Sequence, residues 1–178
     1  MKTLQTSQDW YNEVLSDTSK FKHWLERQYI GEVTASTRIR AIADEQGDSR
    51  SKSILEAIAD QEDLHATWVA SILAYYGYEL HEIPKEGSRY WDTVEEVQED
   101  FFSKCAIASH AEGMRLERIR VICNDPRTNE FVRDIFQKIL KDEVWHETAF
   151  RSLAGEDAMA STKPCHVKAK NLLGLEAW

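Results

Sequence analysis

The segment KDEVWHETAF, residues 141–150, sets Glu143 and His146 three positions apart, and ADQEDLHATW, residues 59–68, repeats the spacing with Glu62 and His65. Three residues advance about 300° around a helix, so each carboxylate and its imidazole project from nearly the same side and can grip one ion together. The chain holds 19 Glu and 6 His in 178 positions. Chance alone then supplies roughly 0.6 such pairs, so one pair would carry no weight. What matters is whether the two are related.

They sit in a repeat. From Glu32 the sequence reads EVTASTRIRAIAD, and from Glu112 it reads EGMRLERIRVICN. Without a gap, Arg38 aligns with Arg118, Ile39 with Ile119, Arg40 with Arg120 and Ile42 with Ile122. Each copy is followed by a Glu-x-x-His pair at nearly the same separation, Glu32 to Glu62 and Glu112 to Glu143. An internal repeat of this kind marks two versions of one supersecondary unit. Each half reads as a helical hairpin with a Glu on its first helix and Glu-x-x-His on its second.

The elements that must position these groups follow from the breakers. A short helix is expected around residues 7–15. Asp17, Thr18 or Ser19 can cap a helix running to about Gln46, where Gly47 stops it. Asp48 or Ser49 opens a second long helix to about Tyr76, ended by Gly77. GYELHEIPKEGSRYW, with Pro84 and Gly87, reads as a connection. Thr93 with Glu96 reads as a capping box starting a third helix to about Cys123. Asp125 followed by Pro126 reads as the start of a fourth, continuing to about Leu153. After Gly155 the tail is expected to hold a short helix over residues 167–173. The fold class is therefore all-α, a four-helix bundle with short helices at both ends, in one domain whose core covers about residues 18–153.

Helical rise tests whether one layer can hold all six groups. Each hairpin brings its Glu and its Glu-x-x-His to a common level, at about 1.5 Å per residue. A tight turn between the hairpins would leave the two sites roughly 12 Å apart. The connection of some sixteen residues could extend to roughly 50 Å, enough to cross the bundle. A long crossover between the second and third long helices brings Glu32, Glu62, His65, Glu112, Glu143 and His146 together.

Four carboxylates in a core would each cost several kcal/mol and would repel one another. Two divalent cations cancel their charge, and two neutral imidazoles complete a near-symmetric pair of ions. Oxygen-rich ligation with one imidazole per ion suits iron, or mixed manganese and iron, better than structural zinc.

At these six residues the sequence resembles the ferritin-like di-iron carboxylate superfamily, whose pattern is Glu, Glu-x-x-His, Glu, Glu-x-x-His on four helices with one crossover. The ligand spacing is similar to that of aldehyde-deformylating oxygenases, rubrerythrin and bacterioferritin alike. The resemblance implies two Fe ions, with bridging and terminal oxygens divided between the pair Glu62 and Glu143 and the pair Glu32 and Glu112. It implies that Asp142 orients an opposite histidine, the corresponding place in the first half being Gln61. The expected activity is an oxidoreductase that uses O2 or peroxide on a small apolar substrate, with electrons from an external donor. Ferroxidase and iron storage, or a rubrerythrin-like peroxidase, are the alternatives.

The composition narrows the field. A net charge of −9 leaves no basic stripe for nucleic acid. No apolar run approaches a membrane span and the N-terminal residues lack a signal-peptide core, so a cytoplasmic protein is expected, with a homodimer compatible. Cys105, Cys123 and Cys165 form no Cys-x-x-Cys, which excludes a rubredoxin-type iron module within this sequence. Cys105 and Cys123 read as small core residues. Tyr29, one turn before Glu32, can hydrogen-bond a ligand, pass an electron or simply pack. Glu147 and Asp63 fit solvated positions, the arginines of the repeat fit ion pairs with neighbouring acids, and Trp68 and Phe150 would line the apolar side of the site.

Overall fold

A computed structural model of the chain describes residues 5–79 and 89–174, and every element among them is helical. The order is α1 (Ser7–Leu15), α2 (Thr18–Asp44), α3 (Ser49–Tyr75), α4 (Arg89–Val94), a short 3-10 turn (Glu95–Val97), α5 (Phe101–Asn124) and α6 (Glu130–Leu172). Helices α2 and α3 pack along their lengths as one hairpin and α5 and α6 as another, with α3 also against α6. These are the paired hairpins the repeat implies, in the ferritin-like arrangement implied by the resemblance at the six residues.

The starts of α1, α2 and α3 carry side-chain caps: Thr6 accepts from the Asp9 amide, Asp17 from the Ser19 amide and Asp48 from the Ser51 amide. Two expected starts move. Thr93 does not open the third long helix; its hydroxyl bonds back to the Arg89 carbonyl within α4. The cap is Asp100, which accepts from the Ser103 amide while the Ser103 hydroxyl accepts from the Asp100 amide. This reciprocal arrangement uses Ser where the usual box has Glu or Gln, so the Glu-based search passed over it. The fourth long helix likewise starts later than Asp125 and Pro126. Asp125 instead binds the Arg127 amide and guanidinium in the turn, and Asn129 caps α6.

Chain direction after Leu153 is the third difference. The expected isolated tail helix is a continuation of α6, set off by Gly155 at φ 75° and ψ 163°. Only glycine adopts that backbone at little cost, which lets the helix turn and resume. The resumed part carries Pro164 and packs Cys165 and Ala169 against Tyr90 and Val94 of α4 and Ile107 of α5. The connection from α3 to α5 is thus partly helical and held by the tail. Pro84 and Gly87, expected in it as breakers, lie outside the described residues.

Two apolar clusters fill the bundle, one above the other. The first gathers Leu25, Val69, Ile72, Ile119, Phe136 and Ile139 with Tyr11 and Trp24 from the α1 end. The second gathers Ile39, Leu55, Ile58, Cys105, Ala106 and Phe150. Along every long helix the six candidate ligands fall between residues of the first cluster and residues of the second. A layer of polar groups therefore separates two halves of the core.

Candidate metal centre

The layer is almost dry. Glu32, Glu62, His65, Glu143 and His146 have no exposed surface, and Glu112 is 7% exposed. Helix α2 supplies Glu32, α3 supplies Glu62 and His65, α5 supplies Glu112, and α6 supplies Glu143 and His146. The long crossover thus does what the rise calculation required.

The six side chains form two overlapping quartets, Glu32, Glu62, His65 and Glu143 in one and Glu62, Glu112, Glu143 and His146 in the other. Within each quartet one ligand atom per residue lies within 4.8 Å of all the others. Glu62 and Glu143 belong to both, and their oxygens divide between them. His65 Nδ1 lies 3.8 Å from Oε2 of Glu62 and 3.4 Å from Oε1 of Glu143. His146 Nδ1 lies 3.1 Å from Oε1 of Glu62 and 3.5 Å from Oε2 of Glu143. Each shared carboxylate faces one imidazole with each oxygen.

The same atoms lack hydrogen bonds. Both oxygens of Glu62, both of Glu143, Oε2 of Glu32 and Nδ1 of each imidazole are buried without a hydrogen-bond partner, although Arg115 pairs by charge with Oε2 of Glu62 and Oε1 of Glu143. Leaving a buried polar atom unsatisfied costs about 1–3 kcal/mol, so a cluster of them calls for an unseen partner. Inward-facing oxygens and imidazole nitrogens in two shared sets fit a pair of cations.

The outward nitrogens, by contrast, are held. His65 Nε2 lies 3.2 Å from Oδ2 of Asp142, and His146 Nε2 lies 2.9 Å from Oε1 of Gln61. Each histidine is bridged to the residue preceding the opposite glutamate. With Nε2–H donated to an oxygen, Nδ1 carries the lone pair that faces the quartet. This is the place the sequence resemblance implied for Asp142 and, in the other half, for Gln61.

Electrostatics without bound cations are severe. Burial, with repulsion from Glu143 next, pushes the Glu112 carboxyl well above its ordinary range. Burial also raises Glu32 well up, Arg115 opposing and Glu62 and Glu143 adding to it. Glu62 moves the other way: burial and Glu143 act to raise it, but both imidazoles and Arg115 together bring it down to about 2. Glu143 is likewise well lowered, against burial, by Arg115 and the imidazoles. His65 rises to about 10, burial opposing and Glu143 and Glu62 prevailing. The cluster gathers protons wherever no other cation stands.

The rubrerythrin family model matches residues 23–154, a span containing all six side chains together with Gln61 and Asp142. The chain belongs to the rubrerythrin family. That places it among the ferritin-like di-iron proteins. No curated protein and no solved structure matches it significantly.

One residue of this rubrerythrin-family site escaped the sequence reading. Arg115 of α5 contacts Oε1 of Glu32 directly, lies 3.1 Å from Oε1 of Glu143 and 3.6 Å from Oε2 of Glu62. The signal existed: Glu112-x-x-Arg115 has the same three-residue spacing as the Glu-x-x-His pairs. The repeat hid it, because its counterpart in the first half is Ala35.

Other candidates fall around the centre. Tyr29 is half-buried and packs against the first apolar cluster. Trp68 lies beside the His65 ring at 5.5 Å, while Phe150 is buried in the second cluster. Glu147 bonds Ser109 and Arg151, and Asp63 pairs with Arg40, so neither joins a quartet. The repeat arginines diverge: Arg40 pairs with Asp60 and Asp63 as expected, but Arg38 stacks on Trp91 and Arg118 lies over Trp10. Cys105 and Cys123 are core residues, and burial pushes the Cys105 thiol up to about 12.

Proposed function

We propose that the chain is a di-iron oxidoreductase that reduces peroxide or O2 with electrons from an external donor. The observation that carries this reading is the pair of quartets sharing Glu62 and Glu143. Glu62 and Glu143 would serve both ions, Glu32 and His65 would help hold one, and Glu112 and His146 the other. Two ferrous ions bound there would supply the two electrons that reduce one peroxide, with two protons, to two waters.

The protein's own part is positional. Buried oxygens and imidazole nitrogens preset the ligand geometry, so little ordering remains to be done when ions bind. Asp142 and Gln61 keep Nδ1 of each histidine turned inward. The apolar clusters above and below exclude bulk water, which strengthens charge interactions within the layer. Asp142, 20% exposed at its side chain, links the His65 imidazole to the surface and is the group best placed to pass protons inward.

Two surface cavities among the described residues are lined by Gln8, Arg120 and Asp125 in one case and by Asp100, Phe102 and Gly155 in the other, and neither is bordered by a candidate ligand. Oxygenation of a small apolar compound is the finer version of the same chemistry, and ferroxidase activity is the alternative. The test mixes anaerobically reduced, iron-loaded protein with hydrogen peroxide and, separately, with O2. Stoichiometric oxidation of about two irons per chain, abolished in Glu143→Ala, supports the reading. Loading with zinc alone, or no oxidation by either reagent, refutes it. Iron deposition beyond two per chain would make ferroxidase the function.

A further inference from the structure

The two quartets are not equivalent, and Arg115 makes the difference. Its guanidinium touches Oε1 of Glu32, Oε1 of Glu143 and Oε2 of Glu62. The last two atoms are those that face His65, at 3.4 and 3.8 Å from its Nδ1. The oxygens facing His146 are the other pair, Oε1 of Glu62 and Oε2 of Glu143. A cation of this chain therefore stands on one metal position and leaves the other open.

Chemistry makes that standing stable. A guanidinium is always charged and presents several N–H groups in a plane, so it satisfies carboxylates much as an ion would. Burying Glu32, Glu62 and Glu143 with no cation among them would cost several kcal/mol each. Arg115 offsets part of that cost before any metal arrives. It also keeps a way out, because its side chain is 20% exposed while the three carboxylates are wholly buried.

We infer that Arg115 is a built-in competitor for the His65-side metal position, so that two ions load in a fixed order. The first enters the quartet of Glu62, Glu112, Glu143 and His146. The second binds only when Arg115 withdraws from Glu32, Glu62 and Glu143. A position open about one-tenth of the time binds about tenfold more weakly than one always open. Loading at low metal supply would then stop at one ion, and the two-ion centre would form only when supply is ample.

The inference rests on the two-ion reading above, and the experiment separates them. Metal-free protein is titrated anaerobically with Mn2+, bound ion being counted by loss of the free-ion electron paramagnetic resonance signal. Wild type should take two ions in two steps, the second about tenfold or more weaker. Arg115→Met keeps much of the stem and removes the charge. It should tighten the second step about tenfold while leaving the first nearly unchanged, and should lower the melting temperature of the metal-free protein. His65→Ala should abolish only the weaker step and His146→Ala the tighter one, a comparison that holds even if Arg115→Met does not fold. Two ions entering wild type in one step, an unchanged second step in Arg115→Met, or loss of the tighter step in His65→Ala overturns the order. Failure of wild type and variants alike to bind a second ion overturns the two-ion reading itself.

Discussion

Replacing Glu112 by glutamine should make the metal-free protein more stable, although it removes a ligand. Glu112 suits this purpose because Arg115 contacts Glu32, Glu62 and Glu143 directly, whereas at Glu112 its charge ranks behind burial and the carboxyls of Glu143 and Glu62. A carboxyl that ordinarily loses its proton near 4.5 is held protonated well above that by burial and by Glu143. Between 4.5 and the raised value the folded chain keeps this proton while the unfolded chain releases it, so folding takes one up. Stability of the metal-free form must then fall as pH rises from 4.5 through that window. The cost is about 1.4 kcal/mol for each pH step within it.

Glutamine carries no proton to gain or lose and can still donate to Glu143 from its amide. Glu112→Gln should therefore recover about 1.4 kcal/mol in chelator-treated protein for each pH step above 4.5 within that window, roughly 3–6 °C in melting temperature per step for a chain of this size. At pH 4.5 the two proteins should melt together. With iron present the order should reverse, since the variant has lost a carboxylate that would hold the ion. Thermal melts at pH 4.5, 6, 7 and 8, with and without chelator, read all of this. A variant that is no more stable than wild type at pH 7 without metal, or that keeps the wild-type slope with pH, refutes the reasoning.

The groups behind the histidines give a second prediction. Asp142→Ala and Gln61→Ala should each weaken metal binding about 10- to 100-fold without altering helix content, and a titration that leaves both steps unchanged would show the Nε2 contacts to be idle. A third concerns His166, whose Nδ1 lies 2.8 Å from the Tyr90 hydroxyl and whose ring stacks on that of His110. Burial, then the charges of His110, Lys170 and Lys163, brings its imidazole down to about 4. The unfolded chain binds this proton near 6.5 and the folded chain does not until about 4, so stability present above 6.5 is lost as pH falls through that window. Because the imidazole is only partly covered, the loss is about 1–2 kcal/mol, and His166→Phe should flatten the acid limb of a urea-denaturation profile.

Legibility followed the periodic features. The six clustered side chains were readable because a helix turns charge and imidazole to one side every three residues, and because the internal repeat doubled the signal. The crossover was readable from rise per residue alone. The start of α5 was misplaced because Thr93 and Glu96 have the spacing of a capping box, while Asp100 and Ser103 make the real one with an unusual partner. The continuation of α6 past Gly155 was missed because glycine commonly ends helices, and only tertiary packing of Cys165 and Ala169 shows that this one merely bends. Arg115 was missed for a different reason. Metal-binding side chains are acceptors, and a guanidinium that stands in for metal is a donor of the opposite charge to the carboxylates.

The polar layer between the two apolar clusters also fixes how the helices can be aligned. Leucine and isoleucine stripes tolerate sliding: one turn along the axis, about 5.4 Å, still sets an apolar face against an apolar face. Six charged or ionisable groups do not tolerate it. Moving α3 by a turn against α2 would carry Glu62 and His65 away from Glu32 and to the level of Ser36 or Tyr29, with no ion and no guanidinium to meet them. Such buried polar groups are known to select one register of a helical pair at the expense of others. The layer thus acts as a notch in the bundle. A version with all six groups replaced by leucine and phenylalanine should gain melting temperature yet lose a single defined arrangement of its helices.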